Sequence, residues 1–194
     1  MRMSHPWSFE LHTPRRTFLL LACWFLLGTS ALHAQSNSNL SFKGTPHEEV
    51  QKSMAKRDWP TALWQIEEHL QTQPRDPQMR FWRARLLEQQ QRTDEAFDIY
   101  VQLSEDYPEL SEVQNNLGVL LAARGKTDEA KLAFEHALRN NPNYATAHEN
   151  LGDILLHQAQ RAYDKALMLN RGSRSIPSKL KTLQPALQLT LTKP

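Results

Sequence analysis

Five histidines that follow residue 34 are the side chains best suited to metal binding or proton transfer. They are His47, His69, His136, His148 and His157. No two of them stand three or four positions apart, so no single helix presents a ready pair of metal ligands. The chain also contains no nucleophile elbow, phosphate-binding glycine loop, zinc-protease motif or calcium loop. The sequence therefore predicts no enzyme, no metal site and no cofactor.

The other reactive residue types support the same interpretation. Cys23, the only cysteine, lies in the first apolar run. Removal of that run leaves a chain with no thiol, which excludes zinc ribbons and redox CxxC sites. The acidic pair Glu67-Glu68 is adjacent in sequence, so its carboxylates point to different sides of a helix and are expected to be solvated.

The charge distribution argues against a nucleic-acid partner. The chain of 194 residues has a formal net charge of +2, with 40% hydrophobic and 23% charged residues, as in a soluble globular domain. Residues 35–170 hold 15 basic and 20 acidic residues, whereas residues 171–194 hold five basic residues and no acidic one. A nucleic-acid binder needs a basic stripe on the folded domain itself.

The N-terminus is typical of an export signal. Arginines precede a 12-residue apolar stretch over 17–28, which matches a signal hydrophobic region and is shorter than the ~20 residues needed to span a bilayer. We predict cleavage after Ala34, with Ala31 as the alternative. The prediction is a signal peptide over 1–34, a flexible linker over 35–46 and an exported, periplasmic protein; an uncleaved N-terminal membrane anchor is the other interpretation.

A period of 34 residues runs through the body of the chain. The segment Arg92-Thr93-Asp94-Glu95-Ala96 is matched 34 residues later by Lys126-Thr127-Asp128-Glu129-Ala130. Other pairs at this offset are Ala84 and Gly118, Tyr100 and Phe134, and Pro108 and Pro142. Small residues suit the close approach of two helices, and the aromatic residues suit the space between neighbouring hairpins. A period of this length is typical of stacked helical hairpins.

The pattern resembles the tetratricopeptide repeat, which implies an all-α solenoid over about 47–170. The copies are 43–76, 77–110, 111–144 and a shortened copy over 145–170. The predicted helices are 47–56, 60–72, 77–90, 94–106, 111–123 and 128–140. Thr93 and Thr127 are predicted to be N-caps. Prolines are expected to end the second helix of each hairpin, and Trp59, Trp64 and Trp82 are expected to pack in the interior.

The shortened copy predicts a long helix. In the preceding copy 12 residues separate Gly118 from Ala130, whereas only seven separate Gly152 from Ala159. The five missing residues are those that would form the turn. We therefore predict one continuous helix from about Ala145 to Leu169 that caps the solenoid; a short irregular turn near 157–160 is the alternative.

The resemblance also implies a binding surface. In this family the first helix of each repeat lines a concave groove that holds a peptide or helix of another protein. The residues placed there, called the predicted groove below, are Phe81, Arg85, Glu88, Gln89, Asn115, Val119, Ala122, Ala123, Glu149, Asp153, Leu156 and His157. Asn116 and Asn150 are expected to bond the backbone of an adjoining repeat.

The predicted function is a non-enzymatic protein-binding scaffold of the bacterial cell envelope. An assembly factor for an envelope enzyme or outer-membrane complex is the alternative, and a hydrolase or transferase that uses the groove is the other class considered. We predict that residues 171–194 form a basic and mostly disordered tail. Membrane contact is expected only through the signal segment or through this tail.

Overall fold

The computed structural model describes residues 44–191, which contain eight α-helices and no strand. The helices are α1 (Pro46–Ala55), α2 (Trp59–Thr72), α3 (Pro77–Gln89), α4 (Thr93–Asp106), α5 (Ser111–Ala123), α6 (Thr127–Asn140), α7 (Ala145–Leu169) and α8 (Ile176–Leu191). The all-α prediction is confirmed, and each boundary of the first six helices agrees with its predicted position to about one residue. The predicted signal peptide and most of the predicted linker lie outside the described residues.

The last residues of the predicted linker begin a helix instead of extending a flexible segment. Pro46 is the first residue of α1, and Thr45 is its N-cap. The Thr45 hydroxyl accepts a hydrogen bond from the backbone N–H of Glu48 at 3.3 Å, and the Glu48 carboxylate accepts one from the Thr45 N–H at 2.8 Å. This reciprocal pair is a capping box, which the linker prediction missed.

Each of the helices α2, α4 and α6 has its C-cap residue directly before a proline. The residue that precedes a proline is sterically disfavoured in the helical region of φ/ψ space. The three C-cap residues accordingly have φ between −139° and −130°, outside the helix. These residue pairs are Gln73-Pro74, Tyr107-Pro108 and Asn141-Pro142. The predicted role of the prolines is confirmed.

The predicted N-caps of α4 and α6 are wrong by one position. Thr93 and Thr127 are the first helical residues, and the N-caps are Arg92 and Lys126, which make no side-chain bond to the helix backbone. Their side chains instead pair with the glutamate three residues further on, at 2.7 and 3.1 Å. The residue before each N-cap, Gln91 or Gly125, has a positive φ.

Two clusters of buried side chains hold the helices together. The larger one joins α3 to α7 and contains Tyr100, Phe134, Leu103, Leu87 and Val113, all at most 2% exposed. The smaller one joins α1, α2 and α3, and it includes Trp82, with Trp59 packed against it. Trp64 is 63% exposed, so its predicted interior position is wrong. It projects from α2 on a side that neither cluster covers.

The fused helix is present as predicted, but it is not the last element. α7 runs for 25 residues, and it packs against α6 on one side and α8 on the other. The prediction of a mostly disordered tail is therefore wrong over 176–191. Ile176, Leu180, Leu183 and Leu187 recur at helical spacing and are half-buried or buried, with Leu187 only 5% exposed. This apolar face gives α8 a surface to bury.

Candidate protein-binding groove

The structure brings only part of the predicted groove to one place. The exposed members are Arg85, Gln89, Val119, Ala123 and Glu149. The half-buried members are Phe81, Glu88, Ala122, Asp153, Leu156 and His157. Asn115 is only 3% exposed, so its predicted role as a groove-lining residue is wrong. Its amide is held between two other asparagines, and it serves the packing of α5 against α7.

A chain of side-chain hydrogen bonds, called the polar chain below, connects α7 with α3. Asn150 donates to Asn115 at 2.9 Å, and Asn115 donates to Asn116 at 3.2 Å. Asn116 donates to the Tyr100 hydroxyl at 3.0 Å, and that hydroxyl donates to the Glu88 carboxylate at 3.3 Å. In each of the four hydrogen bonds, the acceptor is the partner nearer to Glu88 along the chain of bonds. Asn116 and Asn150 thus join repeats through side-chain hydrogen bonds.

Burial shifts the pKa values of Glu88 and Tyr100, the last two residues of the polar chain. Burial raises the pKa of Glu88, while the Tyr100 hydrogen bond and the nearby Arg85 charge oppose that rise. Burial also raises the pKa of Tyr100 well above its ordinary value, and the negative charge of Glu88 adds to the effect. The phenol therefore stays protonated at neutral pH and remains a hydrogen-bond donor. Glu88 is thus the acidic end of a network whose other members are amides and a phenol.

A cavity of about 440 Å³ marks the part of the predicted groove that is concave. Val119 and Ala122 of α5 line it together with Asp153 and His157 of α7. Sequence reasoning missed Phe134, Ile154 and Arg161, which also line it, and missed Thr190 of α8. The His157 Nε2 lies 3.0 Å from the Thr190 hydroxyl, so α8 borders one end of the cavity. The only signal for that contact was the leucine spacing of the tail.

The α3 members of the predicted groove lie apart from this cavity lining. The ring of Phe81 packs on Tyr100, with 6.0 Å between the ring centroids. Arg85 is exposed, and its charge acts on Glu88 and on Tyr144. The α3 side of the predicted groove is thus polar and charged, whereas the cavity has an apolar floor.

A cluster that the sequence did not predict lies where α1, α2 and α3 meet. His47 and His69 both direct Nε2 at one carboxylate oxygen of Asp76, at 3.0 and 2.9 Å. Each of the three residues comes from a different helix or cap, so no spacing along one helix could reveal the cluster.

None of the eight helices in the described part of the chain has the length and apolar character of a membrane span.

The family model of the tetratricopeptide repeat matches residues 51–109 and 115–173, which is more than half of the chain. The chain belongs to the tetratricopeptide repeat family. Its helical hairpins are therefore tetratricopeptide repeats, and the all-α solenoid follows from them. In this family such a fold forms scaffolds for protein–protein interaction, and its members are typically not enzymes.

Known proteins resemble this tetratricopeptide repeat chain over part or most of its length. An uncharacterized protein ycf37 of Pyropia yezoensis is 37% identical over 71 residues, which is 34% of this chain and 40% of that protein. The chain thus matches less than half the length of this curated relative. MamA is similar in structure at 17% identity and a TM-score of 0.53, over 73% of this chain and 81% of MamA.

Two further solved structures have the same fold. The first TPR of Spaghetti (RPAP3), bound to the HSP90 peptide SRMEEVD, is 19% identical with a TM-score of 0.54, over 59% of this chain and 90% of that one. A thermophilic TPR protein of Thermus thermophilus is 22% identical with a TM-score of 0.53, over 73% of this chain and 81% of that one. At these identities the likeness concerns the fold alone.

Proposed function

We propose that this chain is a non-enzymatic scaffold of the bacterial cell envelope that binds a peptide or helix of another protein. The cavity between α5 and α7 is the observation that carries the proposal. Val119, at its edge, is 42% exposed, and the smaller Ala122 beside it leaves room for an incoming side chain. Exposed apolar surface with a polar rim is typical of protein-binding sites.

The lining of the cavity defines the kind of segment that it would accept. Val119, Ala122 and Ile154 form an apolar floor, while Asp153 and Arg161 place one charge of each sign at the rim. A partner segment with one aliphatic or aromatic anchor, flanked by polar residues, would complement this arrangement. The peptide-bound Spaghetti repeat supports the idea that such a fold accepts a peptide.

A carboxylate-clamp ligand is not part of the proposal. Such a clamp requires a Lys/Asn/Arg set that is open to the groove, and in this chain only Arg85 and Asn115 approach that pattern. Because Asn115 is 3% exposed and bonded on both sides, it cannot hold a terminal carboxylate in this conformation. We therefore propose recognition through an apolar anchor in place of a terminal charge.

The envelope location rests on the arginines and the apolar stretch of the N-terminus. Expression in a Gram-negative cell, followed by fractionation and N-terminal sequencing, tests it. We expect a periplasmic chain that begins at Gln35. Retention in the membrane with the N-terminus intact would support the anchor interpretation, and a cytoplasmic full-length chain would contradict the proposed export.

Site-specific photo-crosslinking tests the groove. A photoreactive amino acid at position 119 should capture a partner in the native envelope. The same group at Leu132, an apolar residue of α6 that is 59% exposed, serves as the matched control. In a separate pull-down without the photoreactive group, Val119→Arg should no longer recover the partner that was captured from position 119. Leu132→Arg should still recover it. Equal capture from both positions would contradict the proposed binding site in the groove. Capture of a component of a haem-maturation or barrel-insertion machine would favour the alternative role as an assembly factor.

A further inference from the structure

Two imidazole rings and one carboxylate converge between the first turn of α1, the last turn of α2 and the N-cap of α3. His47 Nε2 and His69 Nε2 lie 3.0 and 2.9 Å from the same atom, Oδ2 of Asp76. The three donor atoms lie within 4.8 Å of one another. Side chains of this type and proximity are metal ligands in many proteins.

The carboxylate of Asp76 is held in place by its second oxygen. Oδ1 accepts hydrogen bonds from the backbone N–H groups of Gln78 at 3.0 Å and Met79 at 3.1 Å. Oδ2 is therefore the atom presented to the imidazoles. Among residues 44–191, the ion-pair partners of Asp76 are the two histidines, so no lysine or arginine occupies the position of a cation.

The cluster has a protein wall on one side and an opening on the other. The side chains of His69 and Asp76 are 7% and 11% exposed, whereas that of His47 is 40% exposed. The His47 ring packs edge-on against His69 and Trp82, with 5.5 and 5.8 Å between ring centroids. Two of the three donors are thus fixed in the interior, and the third lies on the path from solvent.

We propose that His47, His69 and Asp76 bind a divalent transition-metal ion, for which Zn²⁺ is the best-suited ion. Two imidazole nitrogens and one carboxylate oxygen match the ligands that Zn²⁺ prefers, at bond lengths of about 2.0–2.2 Å. A tetrahedral ion with these bonds separates its ligands by about 3.4 Å. The two N–O distances must therefore open by about half an ångström. Rotation of the half-exposed His47 ring opens the first, and a small shift of the His69 ring or of the Asp76 carboxylate opens the second.

Each ring would carry its proton on Nδ1 and direct the Nε2 lone pair at the ion. Water would complete the coordination, as in zinc sites with three protein ligands. Because the ligands come from three elements, the ion would tie the first hairpin to the start of the second. Its bound state would therefore stabilise the N-terminal end of the described solenoid.

Titration of the tag-free full chain with ZnCl2 after treatment with EDTA tests the site. We expect one Zn²⁺ per chain by calorimetry, and a visible absorption spectrum of four-coordinate Co²⁺ when CoCl2 replaces it. Saturation with Zn²⁺ should raise Tm by about 5 °C. His47→Ala should weaken Zn²⁺ binding at least about tenfold and remove the Tm shift.

Two further variants separate the site from general histidine binding. Asp76→Asn retains an oxygen that can cap α3 but loses the anionic ligand, so we expect the same weakening with the helix content intact by circular dichroism. His136→Ala changes an exposed histidine of α6 and should bind Zn²⁺ as the parent does. A parent chain that takes up no Zn²⁺, equal affinity of His47→Ala and the parent, or equal weakening in His136→Ala would overturn the proposal.

Discussion

A Cβ atom on Gly118 would lie 2.6 Å from Cε1 of Phe134. The ring is 1% exposed and packed in the larger cluster, so it has little room to retreat. α5 and α6 approach so closely at this point that only a residue without a side chain fits. Gly152 occupies the same position one repeat later, and there a Cβ would meet nothing within 4 Å.

These two glycines give a matched pair of substitutions. Gly118→Ala should lower the free energy of unfolding by about 1–3 kcal/mol, because overpacking outweighs the gain in helix propensity. Gly152→Ala should raise it by up to about 1 kcal/mol, since only the propensity changes. Urea unfolding followed by circular dichroism measures both. A stabilising effect at Gly118 would show that Phe134 moves aside without cost.

Removal of the Asn150 amide, the first donor of the polar chain, should destabilise the folded protein. Asn150→Ala takes away the hydrogen bond to the buried oxygen of Asn115 and should cost about 1–3 kcal/mol of unfolding free energy. Asn143→Ala, at an exposed position before α7, should change it by less than about 0.5 kcal/mol. Chemical denaturation compares the two variants. Equal stability of both would mean that water replaces the Asn150 amide.

The raised pKa of Glu88 predicts a pH dependence of stability. The folded chain holds the Glu88 proton to a higher pH than the unfolded chain does, so ionisation of this group costs stability as pH rises through and above its ordinary pKa. Glu88→Gln stays neutral and can still accept from Tyr100. The variant should therefore gain stability relative to the parent between acidic and neutral pH. A difference that does not change with pH would contradict the prediction.

Pro185 lies inside α8 and cannot donate a backbone hydrogen bond there. Pro185→Ala should restore that bond and slow amide exchange in the second half of α8 by at least about tenfold. Pro177 lies in the first turn, where the N–H has no helical partner, so Pro177→Ala should change exchange little. Hydrogen exchange by mass spectrometry distinguishes the two. Unchanged exchange in Pro185→Ala would mean that packing on α7, not the helix itself, limits opening.

Features tied to a fixed offset could be predicted from the sequence. The 34-residue period placed six helices, and the deficit of five residues between Gly152 and Ala159 predicted α7. Both succeed because close helix packing restricts the residue type at each position of every repeat. The prolines after α2, α4 and α6 act through local sterics, which need no knowledge of the tertiary structure.

Features that depend on contacts between distant residues could not be predicted. Asn115 faces the interior because Asn150, on another repeat, pairs with it. The His47, His69 and Asp76 cluster exists only once three elements are packed. In the segment that forms α8, Pro177, Pro185 and the basic residues favour disorder, whereas Leu180, Leu183 and Leu187 recur at helical spacing. Burial against α7 outweighs the interior proline in the structure.

Because α7 is one continuous helix, it limits where further repeats could be added to the solenoid. Duplication of a 34-residue unit lengthens a solenoid only where each new hairpin finds an open hairpin face to stack on. Downstream of α7 the missing turn removes that face, and α8 covers the helix instead. New repeats inserted upstream of Ser111 would keep their register, whereas a copy inserted after Leu169 would have no matching neighbour.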